Sequence, residues 1–492
     1  MTRFLGGLNK ALPPHVIDAE DIIDATNFYY KPENGFLTTR EGIKRNSTAA
    51  APGSVVGVYS FVYAGTEKKL IVTDETPQKL YYMNGLEEPI YIMDLSGSER
   101  PSFATINDIC YIATGGVLDW YDGTNTGQTT SPSMNFITDH AKASAARIIG
   151  CGNSTLRDRL FLSGVNDGQM WTFDSTDESK AQYIDAGYKD GLDLVGVGTY
   201  YGDAFLFKKG PSASTKGIYR ASISNALAQW ACPRFKQFNT VLSPHMLKEV
   251  SDGLLFIDRE GPKLLQNIVS NADIHYDITP AMMKIAGEMA RYVSTDGFII
   301  IDPLKMLAMV KPSKNSGVFY VMDIVNKRWT YFKYGVNIQS GAFCGGKMLF
   351  GATDGYLYEY DETLSQDNGI AYAMTAESKW FDSALYDQLM KEKYLDILGL
   401  SQADGAGVMI LKVKGAAKHN KPFTFTAGWW DWATVNAIDP SAWTEELTKT
   451  PISTVSSNHV VGGDYISVAV SITSGLCSLS QFGARVAITG RK

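Results

Sequence analysis

The side chains best suited to metal, nucleophilic or general-base chemistry are spread thinly along this chain. Its six histidines are His15, His140, His245, His275, His419 and His459, and its five cysteines are Cys110, Cys151, Cys232, Cys344 and Cys477. No C-x-x-C pair occurs, so the clustered ligands of a structural zinc site are missing, and the odd cysteine total argues against a disulfide framework. The thiols read as small buried hydrophobes. Each histidine reads as a surface or capping group, because a metal site or a triad would have to be assembled by tertiary folding alone. There is no H-E-x-x-H, G-x-S-x-G or G-x-x-x-x-G-K-[ST], and Gly196, Gly198 and Gly202 lack the dinucleotide spacing. Asp167-Gly168 and Asp354-Gly355 lack the ligand spacing of a calcium loop, and turn chemistry accounts for them. Spacing alone leaves a glycosidase-type carboxylate pair open. The expectation is no enzyme, no cofactor and no metal centre.

One local run stands out. Trp429-Trp430-Asp431-Trp432, with Trp443 nearby, suits a protein interface or a sugar-stacking platform, since indole offers a large contact area at low entropy cost. A core or edge cluster is the plainer reading. Interface ranks ahead of sugar, because nothing nearby supplies an obvious set of hydroxyl-binding groups.

Any such site must be positioned by the repeats that fill the middle of the chain. An apolar run, a turn and a second run with an aromatic recur from Leu70, Ile109, Leu160, Phe205, Leu254, Met306 and Met348. Their spacing, roughly 40 to 50 residues, is that of a repeat architecture. Leu70-Ile71-Val72 turns into Leu80-Tyr81-Tyr82, and Tyr111-Ile112 into Leu118-Asp119-Trp120-Tyr121. Leu160-Phe161-Leu162 turns into Met170-Trp171-Thr172-Phe173, and Met348-Leu349-Phe350 into Leu357-Tyr358-Glu359-Tyr360. The links are rich in Asn, Asp and Gly, which tolerate the positive φ of tight hairpins. The stretch from Phe298 to Phe332 reads as three strands. Two hairpins per repeat is the content of a propeller blade. The fold expected is all-β: a degenerate six- or seven-bladed β-propeller over 55–374, the alternative being an ordinary β-sandwich with chance repetition.

Two regions flank the repeats. Residues 1–54 show little strand or helix pattern but several turn formers, which suits an extended N-terminal arm laid over another surface. Residues 375–492 return to alternation in Tyr394–Leu398, Val408–Val413, Tyr465–Val470 and Arg485–Ile488, so a C-terminal β-sandwich-like domain that forms a tube or platform with the arm is expected there. One helix is expected, with Thr279 as N-cap, Pro280 at the first position and Met282, Met283, Ile285, Ala286 and Met289 on its apolar face.

The balance of 45 basic against 52 acidic residues gives a net charge of −7, unlike a protein that grips nucleic acid by neutralising phosphates. A surface along which DNA slides remains compatible, since acidic or neutral walls repel phosphates. The start lacks the apolar core of a secretory signal, and no run of about 18 apolar residues occurs, so a soluble chain made in the cytosol without a membrane span is expected.

The two ends of the chain carry a family resemblance. Ala25-Thr26-Asn27-Phe28-Tyr29, then Asn34-Gly35-Phe36-Leu37-Thr38-Thr39-Arg40-Glu41-Gly42, then Val55-Val56-Gly57-Val58-Tyr59-Ser60-Phe61 resemble the opening of tail hub or nozzle proteins of short-tailed bacteriophages, also called packaged-DNA stabilisation proteins. Gln481-Phe482-Gly483-Ala484-Arg485, closed by Gly490-Arg491-Lys492, is similar to their basic ending. Glu41 departs from the pattern, where a Pro-Gly turn would be expected.

The resemblance implies a structural virion protein in a phage tail, a homohexamer ring below the portal and adaptor. It would extend the DNA channel, retain packaged DNA and gate its ejection, with double-stranded DNA in the lumen and tail fibre or needle proteins at its sides or below. Candidate interface residues are Phe4, Leu5, Leu8 and Leu12 of the arm, with Trp429, Trp430 and Trp432. Rival readings are a carbohydrate-binding or carbohydrate-cleaving propeller of lectin or sialidase type, a cofactor-dependent propeller dehydrogenase, and a distal tip or fibre-attachment protein of a phage tail.

Overall fold

The structure, a computed structural model, describes the chain except residues 1, 4, 33–34, 85–86, 143–144, 211–216, 224–226, 228–229, 237–238, 271–272, 281–283, 383–387, 402–404, 414–415, 426–454, 457–459, 462–464 and 492. Between residues 55 and 361 the chain makes one antiparallel meander after another. Val55–Tyr63, Thr66–Thr73, Lys79–Met83 and Pro89–Asp94 form the first four-stranded sheet, and residues 102–128, 136–185, 193–236 and 247–280 form the next four. The sixth comprises Phe298–Asp302, Leu307–Lys311, Phe319–Asp323 and Trp329–Phe332, four strands where three were expected. The seventh takes Ile338–Cys344, Lys347–Ala352 and Leu357–Asp361, and borrows its outer strand, Gly42–Arg45, from the N-terminal segment.

The first strand of each sheet is innermost, and these first strands pack side by side in a closed circle in which Ile338–Cys344 meets Val55–Tyr63. The result is a seven-bladed β-propeller. Its core is a set of layers between blades rather than one central mass. Strand periodicity explains this: Ile71 faces the layer shared with the seventh blade, while Leu70 and Val72 face the layer shared with the second. A separate apolar cluster fills each of the remaining interfaces in the same way.

Hairpins read from the sequence pair as expected for Leu70↔Tyr82, Tyr111↔Trp120, Phe205↔Arg220, Leu254↔Leu265 and Phe350↔Tyr358. One does not. Arg159–Leu162 pairs with Gln182–Asp185, and Met170–Phe173 lies in an inserted loop where Trp171 donates to the Gly168 carbonyl and packs against the second blade. The expected helix is also displaced. Thr279 and Pro280 end the strand Asp273–Pro280, paired with Leu264 and Lys263, and the helix is only Ala286–Met289 with Ile285 before it. Met282 and Met283 lie outside the described residues. Cys110, Cys151, Cys344 and Cys477 are buried, as expected of small hydrophobes.

The N-terminal segment is more structured than its turn-rich sequence suggests. Asp21–Thr26 bridges the sixth blade, at Tyr331, to Met374–Ser378, and that sheet continues through Tyr465–Ser474 and Gly405–Val413 to Ala416–Phe425. A second sheet joins Phe28–Tyr30, Leu37–Thr39, Cys477–Arg491 and Gln388–Ser401, with Thr2–Arg3 on Cys477–Arg491. Both ends of the chain thus build one two-sheet platform beside the propeller. The C-terminal alternation marks strands that the structure contains, and the arm belongs to the same sheets.

Arg40 fastens this junction. Fully buried, it makes a two-pronged ion pair with Asp367, at 2.9 and 2.8 Å, and donates to the Lys333 and Glu41 carbonyls. Its guanidinium lies between the Tyr334 and Tyr372 rings, 4.3 and 4.0 Å from their centres. Burial opposes its charge, but Tyr372 and Asp367 outweigh that and hold its pKa above the ordinary value. Asp367 also accepts from Ile43 and Gly335 N–H groups, tying the borrowed strand to the link between sixth and seventh blades. Neighbouring Glu41 is buried, accepts from Tyr29 and pairs with Lys305 at 2.9 Å.

Candidate binding site on the propeller axis

The residues that lead into the inner strands gather at one face of the propeller. Ser54, Arg100, Asn135, Asp193, Pro244, Asp296 and Asn337, one contribution from each blade, line a polar funnel of about 990 Å3. A second cavity of about 290 Å3 continues along the inner strands, where Val58, Ser102, Thr138, Lys248, Ile300 and Ser340 contribute. Val56, Arg100 and His245 line both and form the neck between them.

Arg100 directly precedes Pro101 and the second blade's inner strand. Its guanidinium lies 3.9 Å over the Phe298 ring, and Nη1 and Nη2 both donate to the Gln339 carbonyl, Nη1 at 2.8 Å. It thereby ties the second blade to the sixth and seventh. His245 sits in the short 3-10 turn Pro244–Met246, started by Ser243, whose hydroxyl accepts from the His245 N–H at 3.2 Å. The imidazole stands edge-on to Phe136, 5.6 Å between centres. In the following strand Leu247 turns into the core and Lys248, by the alternation of a strand, is exposed to the cavity. Lys311 donates to Asn337 Oδ1 at 2.7 Å and to the Ile338 carbonyl at 2.6 Å.

Burial dominates the electrostatics. It pulls Arg100 down to about 10, with Asp296 opposing, and Lys311 down to about 8, aided by Arg100 and opposed by Asp296. Lys248 is lowered by burial and then by Arg100. Burial, followed by Arg100 and Lys248, holds His245 well below its ordinary value, so its imidazole is neutral at pH 7. At the rim, Arg157 and Asp193 pair at 2.7 Å.

None of these residues was a candidate from the sequence, although His245 was noted as a surface or capping group. His140 is likewise buried and contacts the Gly202 carbonyl at 3.1 Å. Of the predicted interface residues, Phe4, Trp429, Trp430 and Trp432 lie outside the described residues. Leu5 and Leu12 are exposed, whereas Leu8 is fully buried in its own chain's core with Trp329, Tyr331 and Met289, so it offers no surface to a neighbour. Among the described residues no three His, Cys, Asp or Glu side chains cluster as metal ligands would, and no helix is long and apolar enough to cross a membrane.

No family model matches the chain, and no curated protein matches it. Among solved structures, BamB from Moraxella catarrhalis is similar over 70% of this chain and 95% of that one, at 9% identity and a TM-score of 0.38. BBS1N, solved in complex with ARL6DN, covers 68% of this chain and 98% of its own at 8% identity and a TM-score of 0.41. The computationally designed Ika8 protein covers 69% and 99% at 8% identity and a TM-score of 0.34. The propeller assignment rests on the strand pairing and the closed circle of inner strands.

Proposed function

We propose that this chain is a structural virion protein, the tail hub or nozzle of a short-tailed bacteriophage, assembled as a ring of six copies. In this reading the ring continues the DNA channel below the portal and adaptor, retains the packaged genome and gates its ejection, and the chain carries out no reaction. The observation that supports it best is the weaving of the chain ends. The segments that carry the resemblance lie at the two ends of the chain, Ala25–Tyr29 and Phe36–Gly42 near its start and Gln481–Arg485 near its end, yet Leu37–Thr39 pairs with both Phe28–Tyr30 and Cys477–Arg491. Residues that make up one contiguous platform are the ones expected to carry a shared assembly surface.

The propeller axis itself is no conduit for a duplex. At about 290 Å3 its cavity sits at the bottom of the range for small-molecule pockets. DNA would therefore run along the axis of the ring, between copies, where the net charge of −7 suits a wall that does not hold phosphates. A heterologous interface that closes on itself is the expected symmetry.

Negative-stain electron microscopy of the purified chain, alone and mixed with candidate portal and adaptor, tests the proposal. Rings with an axial hole that dock coaxially are expected, and replacing the exposed Leu5 and Leu12 by Asp is expected to disperse them while circular dichroism still reports a folded propeller. A monomer that ignores both partners overturns the assignment.

A further inference from the structure

The neck of the propeller axis holds more positive charge than its surroundings balance. Arg100 and Lys248 line the axial cavity beside the imidazole of His245, while Lys311 is buried behind the wall on Asn337; Arg100 disfavours the charge on both lysines, and Asp296 is the carboxylate that opposes Arg100 and Lys311. Asp296 is itself engaged by the Ser294 hydroxyl. Among the described residues no carboxylate lies within ion-pair distance of Arg100, Lys248 or Lys311. Like charges that face one cavity without a counter-ion disfavour each other's charged form, and that cost is relieved when an opposite charge enters the same space.

We propose that this neck is a receptor for a small oxyanion, the carboxylate or phosphate head of a ligand whose remainder occupies the funnel above. The donors fit that chemistry. Arg100 is held flat on Phe298 and anchored through one carbonyl, which leaves further N–H groups of its five-donor fork for an anion. Lys248 has three ammonium N–H groups, none spent on a described residue, and faces the cavity from the fifth blade. His245, neutral and hydrogen-bonded to the Arg100 backbone, walls the same neck without adding charge. The narrow cavity of about 290 Å3 limits what passes below the neck, while the funnel of about 990 Å3 has room for a metabolite-sized body. The site belongs to a single chain, so it stands independently of the ring assembly.

The test is calorimetric titration of the full chain with inorganic phosphate and, separately, with acetate, at ionic strength held constant with chloride. Saturable binding of one anion per chain is expected for at least one of them, phosphate alone marking a tetrahedral head and acetate alone a carboxylate. Lys248→Gln should weaken it about ten-fold or more, as loss of a charge-assisted hydrogen bond does. Lys189→Gln, exposed and outside both cavities, should leave it unchanged. Arg100→Gln should abolish binding; if loss of the Gln339 contact prevents that variant from folding, Lys248→Gln decides. Absence of saturable binding for both anions, or undiminished affinity in folded Lys248→Gln, overturns the proposal.

Discussion

Removing Asp367 should loosen the propeller at the point where its circle is closed. In Asp367→Ala, Arg40 keeps its charge and its contacts with the Lys333 and Glu41 carbonyls, but loses both prongs of a fully buried ion pair. Breaking one side of such a pair costs about 3–5 kcal/mol, because the remaining charge is left buried and uncompensated. At about 2 °C per kcal/mol, the low end for large domains, the melting temperature falls by about 6–10 °C. Differential scanning calorimetry measures that loss, and hydrogen exchange at the Gly42–Arg45 amides should report it earliest, since those N–H groups open when the borrowed strand detaches. Removing the charge together with its partner, in Arg40→Met with Asp367→Leu, should recover part of the loss, with a coupling of about 1–3 kcal/mol in the double-mutant cycle. Strictly additive single effects, or a shift below about 1 °C for Asp367→Ala, would refute the reasoning.

Two further perturbations probe the layers and the axis. A methyl group at Gly57 would sit 2.5 Å from the Pro101 side chain and 3.2 Å from the Phe103 ring of the next blade; Gly57→Ala should cost about 1–3 kcal/mol by overpacking, read from the urea midpoint. Lys311 titrates near 8 in the folded chain against 10.5 ordinarily, so between those values the unfolded chain binds a proton that the folded chain does not. The stability contributed by this site therefore rises with pH across that window, and Lys311→Met should lack the rise. Parallel stability profiles for wild type and variant from pH 7.5 to 10.5 would show that the amine is not held in its uncharged form.

What the sequence revealed about this fold was local, and what it concealed was long-range. Leu70–Val72 and Leu80–Tyr82 announce a hairpin because a few residues of turn separate two β-prone runs. Gly42-Ile43-Lys44-Arg45 announces nothing: only Gly42 and Ile43 are buried, and the partner strand Leu357–Asp361 is far along the chain. The loop at Met170–Phe173 imitates a strand because Trp171 is buried for a different reason, packing onto the neighbouring blade. The axial site escaped for the same cause as the borrowed outer strand of the seventh blade. Arg100, His245, Lys248 and Lys311 come from the second, fifth and sixth blades, and each alone looks like an ordinary charged or polar residue beside a strand. One signal was present: Arg100 and His245 each adjoin a proline just before an inner strand, the position that a propeller aims at its axis.

The borrowed strand also sets a schedule for synthesis. Gly42 pairs with Asp361, so 319 residues separate the two partners (361 − 42). At about 5–20 residues per second, the ribosome delivers the second about 15–60 s after the first. Throughout that interval the early strand has an open edge and no mate, the condition in which nascent chains seek wrong partners. Lys44 and Arg45, exposed in the finished molecule, place two adjacent positive charges on that edge, a sequence-encoded guard for a segment that must wait for the rest of its own chain.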